Sequence, residues 1–104
     1  MDIRQLLGQL QNVVEFNDGD LPGVRLEPGW VGAFTRQQAP GALFANDTRV
    51  KKCKSEPEDL NPAGTEATVL GSLHHPVMGF GYFVEWENRP RHAVFVVGWK
   101  LARA

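Results

Sequence analysis

Between Phe80 and Glu87 the chain keeps a strict two-residue rhythm, with Phe80, Tyr82, Val84 and Trp86 on one face and Phe83, Glu85 and Glu87 on the other. Only an extended strand holds side chains to that period, so this stretch commits the carboxy-terminal half to β structure. Weaker versions of the same pattern run through residues 48–54, 65–73 and 93–97, and Trp99, Leu101 and Ala102 read as a last short strand. In the first of these Val50 and Cys53 are expected to point inward. In the second, Ala67, Val69, Gly71 and Leu73 share one side. Residues 55–64 form a long acidic loop with Glu56, Glu58 and Asp59. His74-His75-Pro76 leads into a loop through Gly79, and residues 88–91 make a hairpin connection around Pro90. Eleven glycines and seven prolines are spread along the chain rather than massed, which suits many turns between short elements.

The amino-terminal part reads differently. Ile3, Leu6, Leu7 and Leu10 recur at helical spacing, and Asp2 can accept bonds from the first free amides, so residues 2–12 are expected to form a short helix. Gly8 weakens it, and a helix this short needs a packing partner. Its leucine stripe is expected to cover an open edge or end of the β structure. Residues 17–29 carry turn chemistry around a short strand at Val24 and Leu26. Residues 30–34 read as a strand with Trp30, Gly32 and Phe34 on one face. Residues 36–41 form a loop, and residues 42–45 a further short strand or bridge.

A chain of 104 residues supports one core, and the expected organisation is a single domain, with the helix and extra strands in residues 1–47 and the main β unit in 48–104. The formal net charge of −1 argues against a duplex binder, whose affinity comes largely from neutralising phosphates. The lone cysteine excludes an intrachain disulfide and suits a reducing cytoplasm. Residues 1–14 lack a cationic stretch followed by a long apolar run, and no apolar stretch is long enough to span a bilayer, so a cytoplasmic protein without a membrane partner is expected.

Three segments carry a resemblance to a known fold: Gly64-Thr65-Glu66-Ala67-Thr68-Val69-Leu70, Tyr82-Phe83-Val84-Glu85-Trp86, and Val94-Phe95-Val96-Val97 with Lys100-Leu101. Their order, with a long loop after the first of about five short strands and tight connections later, resembles an SH3-like small barrel of the KOW, Tudor-type or nitrile hydratase β-subunit kind. The likeness covers just over half of the chain. It implies a mainly β fold, an SH3-like small barrel with an N-terminal helix and additional short strands. The metal motif of nitrile hydratase belongs to its other subunit, and no such cysteine cluster occurs here. Small barrels host many functions.

The residues themselves offer several candidate sites. The aromatic strands 80–86 and 93–99 with the hairpin tip give a ligand surface at Phe83, Glu85, Arg89, Arg91 and His92, suited to a protein partner or self-association. Arg49, Lys51, Lys52 and Lys54 form the densest cationic run and, beside exposed aromatics such as Phe83, would hold single-stranded nucleic acid by charge and stacking. The same lysines would equally guard a sheet edge. His74, His75 and His92 would ligate a metal if they converged, with Glu85, Glu87 or Cys53 as a further donor. Adjacent residues of an extended chain point apart, however, and solvated histidines are the plainer reading. Cys53 lies between two lysines, which favours a thiolate but supplies no base. Trp30, Phe34, Tyr82, Trp86, Phe95 and Trp99 could cage a cation or simply fill the core. Glu85 and Glu87 project the same way about 7 Å apart, but Arg89, Arg91 and His92 stand ready to pair with them. No catalytic motif is present and no cofactor is expected. The expected function is a non-catalytic binding or assembly module with a protein ligand; the alternatives are a nucleic-acid-binding small barrel and an accessory subunit of an enzyme, or a metal-dependent enzyme. A binding module requires an exposed apolar or aromatic patch without converging polar groups.

Overall fold

The structure is a computed structural model, and it describes residues 29–31, 34–59, 61–77 and 79–104. The expected helix over 2–12 and the strand around Val24 and Leu26 lie outside the described residues. The protein is mainly β: five strands form one antiparallel sheet in the order β4-β3-β2-β1-β5. They are β1 (Arg49–Lys52), β2 (Glu66–His75), β3 (Gly79–Trp86), β4 (Val94–Val97) and β5 (Leu101–Arg103). No helix among the described residues is long and apolar enough to cross a membrane.

The alternation in β3 places Tyr82, Val84 and Trp86, each at most 1% exposed, against Val50, Val69 and Leu101 on one face of the sheet. β1 joins the two ends of the chain's β unit, because Val50 stands opposite Ala67 of β2 and opposite Arg103 of β5. Its inward face differs from expectation. Val50 and Lys52 are buried and Cys53 is exposed, because only residues two apart share a side of the pleat.

β2 changes face midway. Its pairing with β3 shifts between Val69 and Gly71, so Leu70 is an extra residue and the pleat restarts out of phase. Ala67 and Val69 therefore join the first cluster, whereas Leu70 packs with Phe34, Phe83, Ala93 and Phe95 on the other side. The single shared side expected for Ala67, Val69, Gly71 and Leu73 is broken by that bulge. β2 also runs farther than expected. His74 and His75 end the strand opposite Phe80 and Gly79, instead of lying in a loop. Gly79 then closes the turn with φ of 78°, which a residue without Cβ adopts without strain.

The stretch before β1 is irregular and packs against the sheet. Residues 42–45 are irregular, with a bend at Leu43 and Phe44 rather than the expected strand or bridge, since the Leu43 amide donates to the Tyr82 hydroxyl (3.0 Å) and not to a neighbouring strand. Residues 35–39 lie along β2 at its bulge. The Ser72 amide donates to the Gln37 carbonyl (2.8 Å), and the Ala39 amide donates to the buried Ser72 Oγ (2.9 Å). Of the strand expected over 30–34, residues 32 and 33 lie outside the described residues; Val31 forms a bridge pair with His92, and Phe34 is likewise bridged. At the far end, Trp99 lies in a 3₁₀ turn, Gly98–Lys100, and the last strand begins only at Leu101.

Candidate functional site

The hairpin tip, expected to contact a ligand, is engaged within the chain. Phe83 is 1% exposed and meets Phe95 edge-on with ring centroids 5.1 Å apart. It was expected to be exposed, but Phe34 of the segment before β1 packs in the same cluster and covers that face. Glu85 accepts a bond from the Arg91 amide (2.9 Å). Arg91, with φ of 67°, sets its guanidinium 4.7 Å from the Trp30 ring centre and donates from Nε to the Gly29 carbonyl (3.2 Å). His92 is half-buried with Nδ1 3.1 Å from the Pro90 carbonyl, and the Arg89 amide donates to Trp86. Glu85, Arg91 and His92 thus fasten residues 29–31 to the sheet.

The cationic run is split by the pleat. Arg49 pairs with Glu66 (3.0 Å) and Glu87 (3.3 Å) at the surface, and Lys51 and Lys54 are exposed. Lys52 turns inward. Its ammonium meets Asp59 Oδ2 at 2.7 Å, and Lys100 Nζ meets the same carboxylate at 2.9 and 3.0 Å, with side-chain exposures of 1% or less for all three. This buried Lys-Asp-Lys cluster fastens the 53–65 loop to the sheet. Sequence reasoning missed it, although the shared parity of Val50 and Lys52 pointed to it. A phosphate-tracking stripe of Arg49, Lys51, Lys52 and Lys54 is therefore not assembled on one surface.

The histidines do not come together either. His74 is exposed with its ring 4.8 Å from Phe80, whereas His75 is buried and accepts the Val77 amide at Nδ1 (3.1 Å). Among the described residues no group of three or more His, Cys, Asp or Glu side chains converges as a metal would require. Cys53 Sγ lies 3.6 Å from the Trp99 carbonyl. Of the aromatics weighed as a cage, Phe34, Tyr82, Trp86 and Phe95 are all at most 2% exposed and fill the core.

Trp30 is half-buried under the Arg91 guanidinium, and Trp99, at 53% exposure, borders an open groove with Leu43 at 71%. Leu43, Phe44, Phe80, Tyr82, Gly98 and Trp99 line about 270 Å³. β3 supplies Phe80 and Tyr82 two residues apart, hence on one face. The 3₁₀ turn lies close enough to them that a Cβ at Gly98 would stand 2.9 Å from the Phe80 carbonyl oxygen and 3.1 Å from the Tyr82 ring. Phe44 packs on Tyr82 at 5.1 Å. The Tyr82 hydroxyl holds the Leu43 amide, and Arg103 Nη2 donates to the Leu43 carbonyl (3.1 Å). Among the described residues no carboxyl, imidazole or thiol lines the groove, and the side chains that do line it offer contact with apolar groups. It assembles from residues 43 to 99, a span no local motif betrays. Replacing Tyr82 with Phe leaves the Leu43 amide without its acceptor. A loss of about 1 kcal/mol in urea unfolding is expected, together with faster hydrogen exchange at the Leu43 amide.

No family model, no curated protein and no solved structure matches the chain.

Proposed function

We propose that the chain is a non-catalytic binding module for a protein ligand, and that the groove between the 3₁₀ turn, β3 and the Leu43–Phe44 loop receives an apolar side chain of that ligand. The observation that carries this reading is the pairing of Trp99 and Leu43, both large, apolar and mostly exposed, over a floor of aromatic rings. Exposed apolar surface collected around a groove is characteristic of interaction sites, and tryptophan is among the side chains enriched at binding hot spots. The strand order, the long loop after β1, and the pairing of β1 with the last strand support an SH3-like small barrel as the framework.

Selection of random linear peptides on the immobilised full chain tests the reading. Peptides enriched on the wild-type protein should bind in solution and lose about 30-fold or more in affinity on Trp99→Ala, corresponding to a hot-spot loss of roughly 2 kcal/mol. The variant's urea midpoint should stay near wild type, because a surface side chain is removed. Absence of enrichment, or binders that Trp99→Ala retains at full affinity, overturns the reading.

A further inference from the structure

Resting on that docking reading, we infer that the groove's occupant is an acidic linear segment of a partner protein, a large apolar side chain flanked by carboxylates. The charges that stand at the groove's rings point to this chemistry. Lys54 Nζ lies 5.9 Å from the Trp99 ring centre and Arg103 Cζ lies 5.8 Å from that of Phe44, and both residues are exposed. The His74 ring borders Phe80. Among the described residues no carboxylate lines the groove. Lys100 also approaches Trp99, at 5.4 Å, but its ammonium is held by the buried side chain of Asp59. In a chain of net charge −1 the groove thus has cations at two of its rings.

The remaining donors allow more than cation–π contact. One Arg103 nitrogen is bonded to the Leu43 carbonyl, but a guanidinium carries five N–H donors and an ammonium three. A segment that seats an apolar side chain in the groove carries its neighbours past the rim. Carboxylates there meet Lys54 and Arg103, whereas lysines meet like charge. A free small molecule fits less well, since such sites orient their ligands with placed polar groups, and the Tyr82 hydroxyl at the aromatic floor is already bonded to the Leu43 amide. A single nucleic-acid strand would offer anions too, but it needs a continuous cationic track, and Arg49 and Lys52 are held in ion pairs.

Three synthetic peptides decide the matter, each with one tryptophan flanked by glutamates, by glutamines or by lysines, titrated against the full chain. The glutamate peptide should bind about tenfold tighter than the glutamine peptide and the lysine peptide weakest, with the preference shrinking at about 0.5 M salt. Lys54→Glu should remove most of that preference, and Lys54→Glu with Arg103→Glu should invert it. Because Arg103 also holds the Leu43 carbonyl, Lys54→Glu alone decides if the double variant melts early. Equal binding of the glutamate and glutamine peptides, still lost on Trp99→Ala, overturns the acidic partner and leaves the docking reading standing. Failure of all three peptides together with failure of the random selection overturns both. Failure of all three while the selection yields binders without acidic excess overturns the acidic partner alone. An oligothymidylate that displaces the glutamate peptide and binds tighter overturns it in favour of nucleic acid.

Discussion

Asp59→Asn should lower the unfolding free energy by about 3–5 kcal/mol, the cost of leaving buried charge without its partner. The substitution preserves shape and removes only the negative charge, so two ammonium groups, 1% exposed, lose the carboxylate on which both converge at 2.7–3.0 Å. Against a typical total of about 5–15 kcal/mol this is a large fraction. The loss should appear as a shifted urea midpoint with an unchanged slope. Because Asp59 ties the middle of the loop to Lys52 of β1, cleavage after Glu58 by a glutamate-specific protease should also speed up by at least tenfold. Replacing the whole cluster, as Lys52→Met, Asp59→Leu and Lys100→Met together, should recover most of the stability, since apolar packing of similar volume often equals a buried ion cluster. A loss below about 1 kcal/mol for Asp59→Asn would show that the pairing contributes little.

Gly71→Ala should be the second most damaging small change, costing about 3 kcal/mol, the upper part of the range for forced overpacking. A Cβ there would stand 1.8 Å from the Thr35 carbonyl oxygen and 2.8 Å from its carbon. Both are backbone atoms, so no rotamer relieves the clash, and the 35–39 stretch must lift from β2. The usual effect of glycine to alanine, a gain of about 0.4–1 kcal/mol from a less flexible unfolded chain, is reversed in sign. Hydrogen exchange localises the effect. The Ser72 and Ala39 amides, bonded to Gln37 and to Ser72 Oγ, should lose protection, while those pairing β3 with β4 keep it. A stability within 1 kcal/mol of wild type would mean that the contact is not maintained in solution.

The two substitutions differ in how far the sequence foretold them. Asp59 belongs to a loop recognisable from its prolines and acidic residues, yet its inward turn depends on Lys52 and on Lys100, 41 positions away. Gly71 lies in a strand recognisable from its alternation, yet its need to be glycine comes from Thr35, which approaches it only when the chain is folded.

The groove divides in the same way. Phe80 and Tyr82 sharing a face follows from the period of an extended chain and was plain in the residues. That Trp99 stays outside the core does not follow, because it depends on the 3₁₀ turn that takes it out of strand rhythm. The hairpin tip shows the converse: Glu85 and Arg91 lie close in sequence, but the contacts of Arg91 with Gly29 and Trp30 are made only in the folded chain.

Local order was determined by the sequence itself: the β character of the carboxy-terminal half, the position of its acidic loop, and the inward set Tyr82, Val84 and Trp86. These follow from steric preferences and side-chain periodicity within a few residues. Only the tertiary structure decided which lysine is buried, where β2 switches faces, what covers Phe83, and which aromatic remains exposed. Each of those depends on atoms brought together from distant positions, and a one-residue bulge or a single 3₁₀ turn reverses the outcome without leaving a mark in the pattern of neighbours.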